Sequence, residues 1–117
     1  MVKVYGIPNC DTVKKASAWL KENKIAFEFY DFKKTGVSAI KLKEWVKASS
    51  LDIVLNKKST AYRNLSVEDQ QKISLKSEAL NIMQDNTNLI KRPVVEIAGT
   101  VLHGFNVEEY KKTFGKN

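Results

Sequence analysis

The residue type in this chain with the clearest capacity for chemistry is a thiol, and there is one: Cys10, in the run Gly6-Ile7-Pro8-Asn9-Cys10-Asp11-Thr12. It falls between an alternating apolar–polar stretch, Val2 to Tyr5, and a stretch of helical spacing that begins at Asp11. The turn that opens a helix favours an anion, because unsatisfied backbone N–H groups and the helix dipole point at it. A cysteine there has its pKa drawn from about 8.5 toward neutrality. Lys14 and Lys15, one turn further on, add positive potential. A buried cysteine packing as a small hydrophobe is the alternative. Polar Asn9, Asp11 and Thr12, with Pro8 beside them, favour a surface turn and a reactive thiol.

Three further features can take part in chemistry. Arg92, in Lys91-Arg92-Pro93 just before a strand, can fork onto an oxyanion or carboxylate; otherwise it is a solvated arginine beside a strand-edge proline. The loop from Asn56 to Arg63 offers Lys57, Lys58 and Arg63 with Ser59 and Thr60, either as an anion site or as wet surface. His103 is the only histidine, and nothing in its spacing pairs it with Cys10. One Cys and one His exclude an internal disulfide, a structural zinc site and an iron–sulfur cluster. Glycine-rich phosphate loops, H-E-x-x-H and dinucleotide fingerprints are absent from the sequence.

The elements that must position these residues follow from spacing. Val2–Tyr5 predicts a strand, and Val13, Ala16, Trp19 and Leu20 predict a helix over 11–23. The Phe- and Tyr-rich run from Ile25 to Phe32 predicts a second strand, completing a βαβ unit with a right-handed crossover. Three helices are expected next: one marked by Ala39, Leu42, Trp45 and Val46, a short one opened by Ser66 with Glu68 and Asp69, and one marked by Leu75, Ala79, Leu80 and Met83. Val94, Val95 and Ile97, a turn at Ala98-Gly99-Thr100, and Val101–His103 predict a hairpin. Asn106 then caps a last helix spaced by Val107, Tyr110 and Phe114, with Gly115 just past its end. The order is βαβ, a helical block over about 37–88, then ββα, an α/β chain.

At 117 residues the chain is one domain in length, with 43% hydrophobic residues and enough apolar content for a core. The net charge of +7 comes almost wholly from lysine, since Arg63 and Arg92 are the only arginines. That balance fits a solvated basic surface, and direct nucleic-acid binding is not expected. No run approaches the ~18 apolar residues of a membrane span. The start Met1-Val2-Lys3-Val4 does not read as a signal peptide, so the expectation is a cytoplasmic monomer without membrane contact.

Taken together the motifs resemble the glutaredoxin-linked arsenate reductase family, and in particular its small bacterial YffB-like branch. The resemblance rests on Tyr5-Gly6-Ile7-Pro8-Asn9-Cys10-Asp11-Thr12 with Lys14-Lys15-Ala16 and Trp19-Leu20. It extends through Leu55-Asn56, Thr60 and Arg63-Asn64-Leu65 to Ile90-Lys91-Arg92-Pro93-Val94-Val95 and Gly104-Phe105. It implies a thioredoxin-like mixed sheet with a helical insertion in a single domain over 1–117. It also implies that Cys10 is the nucleophile, that Pro93 is cis beside it, and that Arg92 binds an oxyanion or a glutathionylated intermediate. A second family arginine aligns with Lys58 in the YffB-like pattern, or with Asn56 in the arsenate reductase pattern. A third is replaced by Gly104. Lysine cannot copy the bidentate fork of arginine, which argues against arsenate itself.

The activity so implied is a monothiol reduction with no bound cofactor or metal and with glutathione or glutaredoxin as co-substrate. Cys10 attacks; Arg92, Lys14 and Lys58 hold the anionic partner; Asn9 and Thr12 shape the turn and donate to sulfur. The same fold includes Spx-type regulators that bind RNA polymerase and sense oxidation through a C-x-x-C pair. Here Val13 stands at the partner position, so an internal disulfide switch is excluded, while polymerase binding and a redox-silent role remain alternatives.

Overall fold

The computed structural model describes residues 1–76 and 78–116. In chain order the elements are β1 (Val2–Gly6), α1 (Asp11–Glu22), β2 (Phe27–Asp31), α2 (Phe32–Thr35), α3 (Ala39–Ala48), α4 (Leu51–Val54), α5 (Thr60–Arg63), α6 (Val67–Ser74), α7 (Ala79–Asp85), a 3-10 turn (Thr87–Leu89), β3 (Val94–Ile97), β4 (Thr100–His103) and α8 (Val107–Phe114). They fall into two compact units, one of Met1–Asp31 with Arg92–Asn117 and one of Phe32–Lys91.

The first unit is a mixed sheet of order β2-β1-β3-β4. β1 and β2 run parallel in the register Val4↔Phe29, whereas β1–β3 and β3–β4 are antiparallel. The strand alternation sends Val2 and Val4 to one face, where they meet Ala16 and Leu20 of α1, Val95, Leu102 and Tyr110 of α8. Trp19 sits edge-on to Tyr110 at 5.6 Å, and Phe105 does so at 4.9 Å. The fully buried Tyr110 hydroxyl donates to the Gly104 carbonyl at 2.7 Å, which satisfies both groups. α8 is capped by Asn106, which accepts from the Glu109 N–H at 3.0 Å, and ends at Gly115 with φ 67°.

The second unit is helical. Ser38, Ser50, Ser59 and Ser66 each accept an N–H from the residue three positions on, and so open α3, α4, α5 and α6. α7 packs against α3 and α6. Trp45 and Leu42 of α3, Ile73, and Ala79 and Met83 of α7 are buried. Leu55 and Ile90 pair in an isolated bridge, flanked by Asn56 N–H donating to Leu89 at 2.8 Å and Lys91 N–H to Val54 at 2.8 Å.

Several boundaries differ from the sequence reading. The second strand is shorter than Ile25–Phe32: Ile25 closes the end of α1 through its N–H to the Leu20 carbonyl, and Phe32 turns inward as the buried start of α2. Leu75 does not belong to the third expected helix; it ends α6, and Lys76 follows at φ 62°, which breaks the helical path. The hairpin turn is Ala98-Gly99, with φ of 44° and 83°, and Thr100 already belongs to β4. Positive φ at both central positions matches the right-handed twist of the flanking strands. Among the described residues no helix is long and apolar enough to cross a membrane.

Candidate active site

β1 ends at Gly6, and the chain turns back on itself before α1, with the Cys10 N–H donating to the Ile7 carbonyl at 3.3 Å. Cys10 is the N-cap of α1, at φ −90° and ψ 127°. Its carbonyl accepts the Lys14 N–H at 2.9 Å, the first bond of the helix. The side chain makes no close capping hydrogen bond. It is the thiolate that the first-turn N–H groups favour, because they carry partial positive charge and have no intrahelical partner.

Arg92 arrives from the other end of the chain. The antiparallel register pairs Tyr5 with Val94, so one step further along β3 Pro93 comes level with Gly6, at the end of β1 that leads into the Cys10 turn. The Arg92–Pro93 peptide is cis. The Pro93 carbonyl accepts the Gly104 N–H at 2.8 Å, which ties this segment to the strand beyond. From there the Arg92 guanidinium reaches the Cys10 sulfur.

The thiol is half-buried. Burial pushes its pKa up, but four effects oppose it: the Val13 N–H, a hydrogen bond from Arg92, the Thr12 N–H, and the Arg92 charge. The balance lies below the ordinary thiol value. Val13 holds its position through a close fit, since it is 2% exposed and its side chain lies directly over Gly6.

The other expected site residues are placed as follows. Thr12 acts on the sulfur through its backbone N–H, while its side chain is exposed. Asn9 is exposed and is not among the groups that shift the thiol. Lys14 is also exposed and lines a hollow of about 660 Å³ between α1 and β2, to whose lining neither Cys10 nor Arg92 belongs. Lys58 lies in the helical unit, with its N–H on Asn56 Oδ1 at 3.2 Å, in a smaller hollow of about 190 Å³ shared with Lys57 and Lys91. Lys57 there pairs with Asp52 at 3.4 Å. His103 ends β4 opposite Val94. Among the described residues no cluster of His, Cys, Asp and Glu suited to a metal occurs.

The sequence reading did not single out Val13 as a donor to sulfur. Its apolar side chain gives no sign of one. The position alone does: with Cys10 as N-cap, Thr12 and Val13 are the second and third helical residues, whose N–H groups an N-cap side chain meets.

The model of the ArsC family matches residues 5–113. This chain belongs to the ArsC family. An uncharacterized protein from Haemophilus influenzae is 42% identical over 115 residues, covering 97% of this chain and 99% of that one. The global transcriptional regulator Spx 1 of Oceanobacillus iheyensis is 27% identical over 114 residues, covering 96% of this chain and 86% of that one. Among solved structures, a YffB protein superposes with a TM-score of 0.89 at 37% identity, covering 96% and 97% of the two chains. An arsenate reductase (ArsC) related protein from Brucella melitensis does so with 0.74 at 35%, covering 97% and 93%. The mixed four-stranded sheet with its helices is thus the thioredoxin-like α/β fold of the ArsC family.

Proposed function

We propose that this ArsC-family protein is a monothiol reductase that resolves its intermediate with glutathione or a glutaredoxin. The observation that carries the reading is the joint action of the α1 N-terminus and the Arg92 guanidinium on Cys10, which favours the nucleophilic thiolate. For a glutathione mixed disulfide as substrate, the Cys10 thiolate attacks the glutathione sulfur. A Cys10–glutathione disulfide forms, the original S–S bond breaks, and the released thiolate takes a proton from water. A second glutathione thiolate, or a glutaredoxin thiolate, then attacks the adduct, restores the Cys10 thiolate and leaves as the oxidised disulfide. External resolution is required because the chain has no second cysteine. Arg92 is suited to hold a carboxylate or developing anion beside the sulfur. Lys14, one turn into α1, serves as a further anion contact in this reading. Arsenate is a poorer substrate, since Arg92 is the one arginine that acts on the thiol. No bound cofactor or metal enters, and a reducing cytoplasm supplies the co-substrate.

Intact-mass spectrometry after exposure to oxidised glutathione tests the proposal. One glutathione should add to the wild type and none to Cys10→Ser, and glutaredoxin with reduced glutathione should release it. No adduct at neutral pH refutes the reading. The similarity to Spx regulators motivates a second reading, a transcriptional partner acting without redox change. An RNA polymerase pull-down that survives Cys10→Ser, with no glutathione adduct on the wild type, would favour it.

A further inference from the structure

The outer edge of the sheet carries a feature separate from the thiol. β2 is the terminal strand, and among the described residues no strand pairs with its outer side. Such an edge presents unpaired N–H and C=O groups to any extended segment that approaches. The register Val2↔Phe27 and Val4↔Phe29 sets Phe27 and Phe29 on the face that carries α1, and Glu28 and Tyr30 on the other. The hollow of about 660 Å³ runs along the first face between β2 and α1, with Phe27, Phe29, Ile25 and Pro8 among its lining. Phe29 is 37% exposed, open enough to receive an apolar side chain. From α1 come Lys14 and Lys21, both exposed, and no Asp or Glu is among the described residues that line the hollow.

We propose that this edge binds an extended acidic segment of a partner protein, which adds as a strand beside β2 in the pattern acid–neutral–apolar–neutral–acid. Backbone hydrogen bonds to a free edge supply general affinity, and pockets for alternate side chains supply choice. The central apolar residue enters the hollow against Phe29. The flanking acids, four residues apart on an extended chain, are separated by about 13 Å. Lys14 and Lys21 are about 10.5 Å apart along the helix axis, and their flexible stems take up the difference. The intervening residues project to the Glu28 side, where an acid would meet like charge and is disfavoured. A second copy of this chain is the poorer occupant: it carries net charge +7 and would bring its own Lys14 and Lys21 to the same rim.

The test uses the whole protein, ¹⁵N-labelled and at low salt, titrated with a capped pentapeptide glutamate–threonine–leucine–threonine–glutamate. Amide shifts should be confined to β2 and α1. The isomer threonine–glutamate–leucine–glutamate–threonine has the same composition but turns its acids toward Glu28, and it should bind about fivefold more weakly. Lys14→Glu with Lys21→Glu should weaken the first peptide by a similar factor. Equal affinity for the isomer, shifts elsewhere, or indifference to the lysine changes overturns the proposal. Concentration-dependent shifts of β2 without peptide would assign the edge to a second copy and overturn it as well.

Discussion

Gly6→Ala provides a sharp test of how the fold holds the thiolate. A Cβ built on Gly6 would lie 2.8 Å from Val13 Cγ2. Carbon atoms are most comfortable at about 3.5–4.0 Å, so the overlap is about 0.7–1.2 Å. Alanine is acceptable to a strand backbone, so the obstacle is space alone. Val13 cannot swing aside cheaply: it is 2% exposed, and a β-branched side chain in a helix has one strongly preferred rotamer. The remaining relief is for the first turn of α1 to move off β1, which carries the Val13 and Thr12 N–H groups away from the sulfur they stabilise. Overpacking of this kind costs about 1–3 kcal/mol, which at this chain length lowers Tm by roughly 4–12 °C. The thiol midpoint, read by ultraviolet absorbance of the thiolate against pH, should rise with it.

Val13→Ala separates the side chain from the amide. It keeps the N–H, so alone it should leave the thiol midpoint near the wild type while costing stability through lost burial. Combined with Gly6→Ala it removes the clash. The double variant should recover most of the thiol shift, and its stability should exceed the sum of the single losses by about 1–2 kcal/mol. A thiol midpoint unchanged in Gly6→Ala, or strict additivity in the cycle, refutes the reasoning.

Cys10 also makes stability depend on pH. Its folded value lies below the ordinary thiol value of the unfolded chain, so the stabilisation is complete above that value and fades as pH falls through the folded one. The stability gap between wild type and Cys10→Ser, from urea unfolding, should therefore widen as pH rises through this window; a flat or opposite trend counts against the thiolate. Arg92→Ala should raise the thiol midpoint and slow adduct formation with oxidised glutathione, and Arg92→Lys should restore the charge effect without the bidentate fork; unchanged adduct kinetics would remove Arg92 from the site. Tyr110→Phe deletes a 2.7 Å bond and leaves the Gly104 carbonyl buried, at a cost of about 1–3 kcal/mol by denaturant unfolding. Burial, with a smaller contribution from Glu109, raises the Tyr110 hydroxyl above its ordinary value of about 10, so its contribution is whole below that pH and is lost on further alkalinisation. The Phe variant should accordingly lose less stability above about pH 10, and an identical alkaline profile would contradict that assignment.

The sheet unit was readable because each of its elements carries a pattern of its own period. Val13, Ala16 and Leu20 are the buried stripe of α1, and Asn106 and Gly115 bracket α8 as their residue types require. The helical unit was less readable for a physical reason. α2, α4 and α5 are each four residues long, too short for a 3.6-residue period to repeat. Their signals were local: Ser50 and Ser59 are N-caps, detectable by type but common in loops too. Leu75 misled because its spacing to Ala79 and Met83 is helical, whereas the backbone turns left-handed at Lys76, and Leu75 ends 77% exposed. Periodicity reports which side chains could share a face, and it does not register a single dihedral that interrupts the run.

At the site, what was legible and what was not divide along side chain and backbone. Cys10 and Arg92 announce themselves by type, and the β1–β3 register explains how residues 82 positions apart in the chain come to share one anion. The donors nearest the sulfur are amides, which every residue but proline possesses, so only their place in the helix marks them. Val13 combines both kinds of information. Its side chain sets the distance between α1 and β1 over Gly6, and its N–H steadies the sulfur at the helix start. Since valine also occupies the place where a C-x-x-C pair would carry its resolving thiol, the mixed-disulfide adduct proposed for Cys10 has no internal exit. The lifetime of that adduct is then set by the concentration and access of an external thiol, and doubling reduced glutathione in a single-turnover release assay should double the rate of its loss until another step limits.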